Sequence, residues 1–401
     1  MNKSFLKVNN KKNKLGIVLT SLILFLVLFG ILMVYSASFY YAEKTYNNSY
    51  FFLLKQVIGF FVGFICMFLL SKLDYNKLQK FYKIALIIGY ILLILVFVPG
   101  IGVSNYGATR WIRLPGFTIQ SSEIAKFCFV LFASVYLSKN YKKVKSFKGI
   151  LPVIIAGGLM CLLIILEPNM SITMCVGIVM IIMLLVGGIS FKHFMWLAIP
   201  ALILVPVLII IEPYRFDRLM AFINPWASPK GEGYQLIQSF FSISSGGLFG
   251  VGLFNSRQKY LFLPFAESDF IFSVIAEEFG LVGCLLLLAV YFAVIMCGIK
   301  IAIRAKNRFG CFLATGITAV IAVQTLLNVS VVSGLIPPTG LPLPFISSGS
   351  TSIVVFMSAI GVLLNINKQN NEGELICNEN CKKMLKKPKK YIFSFLKNKK
   401  N

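Results

Sequence analysis

Four carboxylates crowd the stretch Leu263 to Glu278, LPFAESDFIFSVIAEE, where a polar loop turns into a strongly apolar run. Glu267 and Asp269 stand at its mouth, and Glu277 and Glu278 lie two turns inside, about 12 Å deeper if the run is helical. Acids at membrane depth face a bundle interior or a wet cavity and mark function, and the chemistry open to them is proton transfer or cation binding. A second group lies upstream, in Gly107-Ala108-Thr109-Arg110-Trp111-Ile112-Arg113 followed by Gln120-Ser121-Ser122-Glu123. Arginine keeps its charge and its planar fork suits phosphate oxygens, so Arg110 and Arg113 beside Trp111 have the chemistry to grip a diphosphate. The same residue types also anchor helix ends at lipid headgroups. Glu123 either completes that group or is a first-turn acid behind Ser121 or Ser122 as cap. Lys55 snorkels to the interface or lines the same cavity as the carboxylates.

The elements that must position these residues are membrane spans. The chain of 401 residues is 58% hydrophobic and 13% charged, which excludes a soluble protein. Ten apolar stretches approach or exceed the ~20 residues a spanning helix needs: 16–36, 51–71, 83–100, 121–138, 149–167, 170–189, 192–212, 270–299, 309–333 and 347–367. The expected fold is an all-α polytopic membrane protein, with a basic leader at 1–15, a membrane domain at 16–367 and a basic tail at 368–401. The first stretch is a full span followed by others and has no small-residue cleavage site, so it does not read as a cleaved signal peptide.

The net charge of +25 would suit nucleic acid, but its distribution points to topology instead. With a cytoplasmic N-terminus, 29 of the 39 Lys and Arg fall in the leader, the tail and the loops on that side. The positive-inside rule then places both termini in the cytoplasm and the Arg110, Asp269 and Pro-rich loops outside. The polybasic tail, with Tyr391, Phe393 and Phe395 interleaved, fits anionic lipids of the inner leaflet, and no nucleic-acid partner is expected. Seven of nine cysteines lie in or beside apolar spans, where they read as small buried hydrophobes. Cys377 and Cys381 in the tail have no nearby His to complete a metal site.

The longest outer segment, about Glu212 to Asp269, exceeds an ordinary connection and is expected to be structured. Its portion from Gly233, GYQLIQSFFSISSGGLFGVGLFNS, is apolar but studded with Ser and Gly, and reads as an interfacial or re-entrant helix pair over the bundle mouth. Gln324 and Asn328 in span nine suit hydrogen bonds between helices. The segment Gly334 to Gly349, with four prolines, predicts a rigid non-helical outer loop.

Four of these stretches resemble the SEDS family, the polytopic glycosyltransferases related to FtsW, RodA and SpoVE. LPFAESDFIF is similar to LPE-x-H-T-D-F-I-F, GATRWI and QSSEIAKF to G-A-x-R-W-I and Q-P-S-E-x-A-K, LEPNMS to Q/E-P-D-x-S/G-T, and GLIPPTGLPLPFISSGS to G-L-x-P-x-T-G-x-P-L-P-F-x-S-Y-G-G. Ser121, Asn169, Ser348 and Ser350 depart from the family's usual Pro, Asp, Tyr and Gly. Thr339-Gly340-Leu341-Pro342 is closer to FtsW and SpoVE than to RodA.

The resemblance implies an enzyme of the bacterial cytoplasmic membrane that polymerises lipid II into glycan strands, for division at the septum or for sporulation. It implies Asp269 as the general base or hydroxyl-orienting carboxylate, with a divalent cation, Mg or Mn, as its other ligand chemistry. Arg110, Trp111, Arg113, Glu123, Lys55 and Glu267 would complete the substrate site, and no nucleotide or organic cofactor is implied. A class B penicillin-binding protein and other division or sporulation proteins are the implied partners. Two other classes fit the residues: a transporter that flips lipid-linked precursor, since acids inside a bundle suit transport, and a non-enzymatic scaffold for division proteins.

Overall fold

A computed structural model describes residues 3–105, 108–114, 117–196, 199 and 213–371. Among them, nine helices are long and apolar enough to cross a membrane. They lie in α1 (Lys3–Tyr46), α2 (Phe51–Lys72), α3 (Tyr82–Leu95, entered through a 3₁₀ turn from Tyr75), α4 (Ser121–Lys139), α5 (Phe147–Leu166), α6 (Met170–Gly187), α9 (Ile271–Ile303), α10 (Arg308–Val332) and α11 (Ser350–Asn371). Two shorter helices, α7 (Pro213–Ile223) and α8 (Tyr234–Gly246), belong to the segment before α9. Most of the expected span 192–212 and the tail beyond Asn371 lie outside the described residues. Gly187 packs against Leu137 and Val144 near one end of α5, whereas Arg215 reaches the Ile165 carbonyl near its other end. The two sides of the undescribed stretch therefore lie at opposite faces of the bundle.

Caps and composition set the helix ends. Ser146, Asn169 and Asn307 accept from the amides of Gly149, Ile172 and Gly310 at 3.3, 3.3 and 2.7 Å, which fixes the starts of α5, α6 and α10. The outermost helices are apolar on their exposed sides, as in Ile84, Ile87, Ile91 and Ile94 of α3, a period that fits lipid rather than water. By contrast α10 is enclosed along most of its length. Helix α1 begins at Lys3, and its membrane-spanning part runs from Lys14 to Tyr46.

Two expectations need correction. The third span stops at Leu95 rather than at 100, because Pro99 and Gly100 follow, and the chain then forms a small antiparallel sheet, β1 (Gly102–Asn105), β2 (Ala108–Leu114) and β3 (Phe117–Gln120). Ile112 pairs with Gly102 on one side and Ile119 on the other. The β-branched and aromatic residues of ATRWIRL suit a strand better than an irregular loop.

The second correction is at α9, which is not continuous. Gly280 has φ 66° and ψ −167°, a break about 14 Å into the helix. Rather than a helix pair, residues 234–256 form α8 and an irregular segment that docks into this break. The amides of Val251 and Gly252 donate to the carbonyls of Glu277 and Glu278 at 2.9 and 3.1 Å, while Leu281 and Val282 donate to Gly247 and Leu248 at 3.0 and 3.1 Å. Backbone groups freed by the break are thereby satisfied within protein, as apolar surroundings require. Only glycine fits the contact at Gly250: its φ is +83° and a Cβ would lie 2.1 Å from the Glu278 carbonyl oxygen.

The docked segment also accounts for Glu277 and Glu278. Glu277 accepts from Ser256 Oγ at 2.6 Å, Ser242 Oγ at 3.1 Å and the Arg257 amide at 2.9 Å. Glu278 pairs with Lys259 at 3.0 Å, both side chains fully buried, and accepts from Ser36 Oγ of α1 at 2.6 Å. These two acids lock the segment before α9 onto the bundle.

Candidate active site

The loops carrying the predicted residues converge at one end of the bundle. Asp269 is half-buried just before α9, whose N-cap is Phe270 with no side-chain cap bond, so the carboxylate is not spent on capping. Its carbonyl accepts from Asn328 Nδ2 at 2.8 Å. A Cβ at Gly340 would stand 3.0 Å from Asp269 Oδ2, so the carboxylate rests against bare backbone of the Pro-rich loop. That loop is pinned on several sides. Ser347 Oγ donates to Ser268 O at 2.6 Å and the Ser348 amide to Glu267 O at 2.8 Å, while Gln56 of α2 and Asn328 of α10 donate to Ser347 O and Leu341 O. Gln324 makes the expected bond between helices by accepting from Lys126 of α4 and also donates to Pro342 O at 2.9 Å, whereas the bonds of Asn328 go to loop carbonyls.

Burial pushes the Asp269 carboxyl up to about 6, against the opposing charges of Arg110 and Arg218. Burial likewise lifts Glu267 to about 7, opposed by its own backbone hydrogen bond and assisted by the neighbouring Asp269 charge. Glu167, at the end of α5, is fully buried and lifted to about 8 by burial, opposed by the Ser121 hydroxyl at 3.2 Å and by Arg110.

Arg110 and Arg113 do not act as one fork. On a strand, residues three apart point to opposite faces. Arg110, partly buried, donates from Nε to Glu167 O at 3.3 Å and from Nη2 to Pro168 O, whereas Arg113 is exposed and shares its face with the partly buried Trp111. The end of α5, the start of α4 and Arg110 thus form one unit beside Asp269. Asn169, where the family usually has Asp, is buried as the cap of α6.

Glu123 sits deeper than a headgroup contact. It is fully buried inside the bundle, 2.8 Å from Lys126 Nζ, with Ser352 Oγ of α11 at 3.3 Å from its other oxygen. Lys126 also donates to Gln324 and lies 4.8 Å from the Phe356 ring centroid. Lys55 is exposed, its ammonium 4.0 Å from the centroid of Phe51 one turn away, and it makes no ion pair among the described residues. The structure brings Asp269, Glu267, Arg110 and Glu167 together and turns Arg113 to the opposite strand face, while Lys55 lies beside the Phe51–Tyr46 ring stack that the Glu267 charge reaches.

One residue of the group escaped sequence reasoning. Arg218, on α7, donates from Nη1 to Pro338 O at 3.2 Å, two residues from Gly340, and its charge acts on Asp269. The available signal was PYRFDRLMAFI, an amphipathic helix carrying arginines at i and i+3. A half-buried carboxylate under the opposing charges of two arginines, one on β2 and one on α7, can accept a proton beside a bound polyanion.

The profile of the family described as cell cycle protein, FtsW/RodA/SpoVE, matches residues 17–372. The chain belongs to this family. It is 37% identical over 363 residues to stage V sporulation protein E of Bacillus subtilis, covering 90% of this chain and 99% of that one. It is 36% identical over 369 residues to a probable peptidoglycan glycosyltransferase FtsW of Geobacter metallireducens, covering 91% and 98%. Among solved structures, a chain from a peptidoglycan synthase complex that coordinates polymerization and crosslinking superposes with a TM-score of 0.71 at 24% identity, covering 88% of this chain and 98% of that chain. The rod shape determining protein RodA of Thermus thermophilus superposes at 0.62 and 21%, covering 88% and 96%. Family membership makes the observed bundle the family's membrane fold and the chain a multi-pass membrane protein.

Proposed function

We propose that this chain is a peptidoglycan glycosyltransferase that polymerises lipid II at the outer face of the bacterial cytoplasmic membrane, for septal synthesis in division or for sporulation. The observation that carries the reading is the half-buried Asp269 at the end of the bundle where Arg110 and Arg218 act on its charge, in a family whose relatives bear that activity in their names. The acceptor sugar's 4-hydroxyl attacks the anomeric carbon of the donor, the bond to the undecaprenyl diphosphate breaks with inversion, and Asp269 takes the hydroxyl proton. Arg110, its plane set by the Glu167 and Pro168 carbonyls, faces the leaving diphosphate. Both termini are cytoplasmic in this reading, and the transpeptidase partner is a class B penicillin-binding protein.

Among the described residues no three His, Cys, Asp or Glu gather into a cage for a metal. Asp269 and Glu267 nevertheless suit a magnesium or manganese ion, which commonly takes one or two carboxylates with substrate phosphates. Such an ion would neutralise charge on the leaving diphosphate.

The deciding experiment gives purified protein in vesicles labelled lipid II with no other polymerase present. Long glycan is expected; translocation of lipid II without polymer, or neither, would remove the enzymatic reading in favour of a flippase or a scaffold. In the same assay Arg110→Lys is expected to lower turnover about tenfold or more, through loss of fork contacts. Arg113→Lys should stay within about twofold, because its side chain faces away. Equal effects of the two would undo the assignment of the strand faces.

The pH profile separates the two outer acids. A general base works deprotonated, so activity is present above its pKa and lost as pH falls through it. With Asp269 as base, turnover should drop about tenfold per unit below a break near 6. A single break near 7 would point to Glu267 instead.

A further inference from the structure

Helix α7 is turned opposite to a surface helix of a soluble protein. Phe216, Met220 and Ile223, on one stripe, are 40%, 42% and 66% exposed, while Arg215, Arg218, Leu219 and Phe222 on the other stripe are partly buried. In a membrane protein, an apolar outer stripe next to the bundle suits the lipid interface and turns the arginines toward the protein. Arg215 is spent on the last turn of α5, donating to Ile165 O at 3.4 Å. Arg218 is placed otherwise. Its Nη1 is bonded to Pro338 O, and its Nε stands 3.7 Å from Glu232 Oε2 in a solvent-facing pair whose side chains are 29% and 45% exposed.

Three consecutive residues of the Pro-rich loop tie this arginine to the site. Pro338 meets Arg218, Thr339 accepts from Ser171 at the start of α6, and Gly340 lies against Asp269. Neighbouring Cα atoms are about 3.8 Å apart, so the guanidinium and the Asp269 carboxylate contact the two ends of a segment no more than about 7.6 Å long. Pro168, held by Arg110, is three residues before Ser171. The two arginines therefore approach Asp269 from different elements, a strand and an interfacial helix.

We infer that Arg218 is a second diphosphate-binding residue beside Arg110, and that Glu232 holds its guanidinium until the lipid-linked diphosphate displaces it. This rests on the glycosyltransferase reading above. A solvent-facing ion pair contributes little, about 0–1 kcal/mol, whereas phosphate oxygens offer a planar fork shorter and stronger charge-assisted bonds. Glu232 is thus a weak competitor that keeps the fork oriented and yields it. With the apolar stripe of α7 at a lipid interface, Arg218 would stand at the height of the diphosphate of a membrane-anchored donor.

Two variants of the full-length protein in phosphatidylglycerol vesicles carry opposite expected signs. Arg218→Gln should raise the KM for lipid II about 10- to 100-fold while kcat falls less. Glu232→Gln should lower KM by up to about fivefold, since the competitor is gone. Binding of undecaprenyl diphosphate, measured without acceptor or turnover, should follow the same order. Wild-type diphosphate affinity in a folded Arg218→Gln protein would overturn the inference while the enzymatic reading stood. So would Glu232→Gln weakening binding in step with Arg218→Gln, as expected if the pair merely braces the loop. If wild-type protein made no glycan, the enzymatic reading would fail, and the order of diphosphate affinities would still decide the role of Arg218. Where Arg218→Gln lowers the melting temperature, Arg218→Lys, which keeps the charge and the Pro338 contact but loses the fork, takes its place with the same expected direction.

Discussion

Asp269→Asn is expected to lower glycan polymerisation by about 10²–10⁴-fold, the usual contribution of a general base, while the protein remains inserted and folded. The substitution keeps the size of the side chain, and the contact that fixes the residue is made by its carbonyl to Asn328, which the variant retains. What it removes is the negative charge and the capacity to take a proton. A capping role would predict a nearly normal variant, because Asn caps as well as Asp, and α9 receives no side-chain cap in any case. Loss of a cation ligand would deepen the deficit. Glu267→Gln is the internal control: that residue is tied in through its carbonyl to Ser348, and a milder loss is expected. Polymerisation near the wild-type rate in Asp269→Asn, or a larger loss in Glu267→Gln, would mean that the wrong carboxylate has been assigned.

Removal of Lys259 should produce the largest change in stability. Lys259 and Glu278 are both fully buried and 3.0 Å apart, and Ser36 of α1 joins them. Lys259→Met leaves Glu278 as an uncompensated buried charge, a change that costs about 3–5 kcal/mol where buried pairs have been broken. Replacing both, Lys259→Met with Glu278→Gln, removes that charge and should recover much of the loss; the difference is read as a coupling energy from thermal unfolding of the four proteins in one detergent. Activity should fall with Lys259→Met as well, since the segment that Lys259 locks leads directly into Glu267 and Asp269. A single variant that melts with the wild type would show the pair to be dispensable, and unfolding of the double variant at the single variant's temperature would show that packing of the lysine stem, rather than charge, is what matters.

Much of the membrane architecture was legible in the order of residues because hydropathy is local. A run of about twenty apolar residues has few alternatives to a spanning helix when no water is available to its backbone, and the described helices lie close to the expected positions. The motif residues were legible for a related reason: Asp269, Arg110 and the prolines of the 334–349 loop are chemically conspicuous in such a chain. The errors arose where local signals are ambiguous or absent. ATRWIRL has a strand's composition but sits between helices, and the spacing of Arg110 and Arg113 has opposite meanings on a helix and on a strand. Glu277 and Glu278 read as functional because burial of charge in a membrane is costly, yet their cost is met by Ser242, Ser256, Lys259 and Ser36.

The order of the described spans, the clustering of basic residues in some loops and the choice of candidate base thus follow from properties that each residue carries with its near neighbours. Partnership does not. Ser36 and Glu278 are 242 residues apart, Arg110 and Pro168 58, and Arg218 and Pro338 120. Which carboxylates are held by structural partners and which stay under the charge of arginines was decided by tertiary packing, because a polar group buried away from water is stabilised only by whatever partner the folded chain brings within hydrogen-bonding distance.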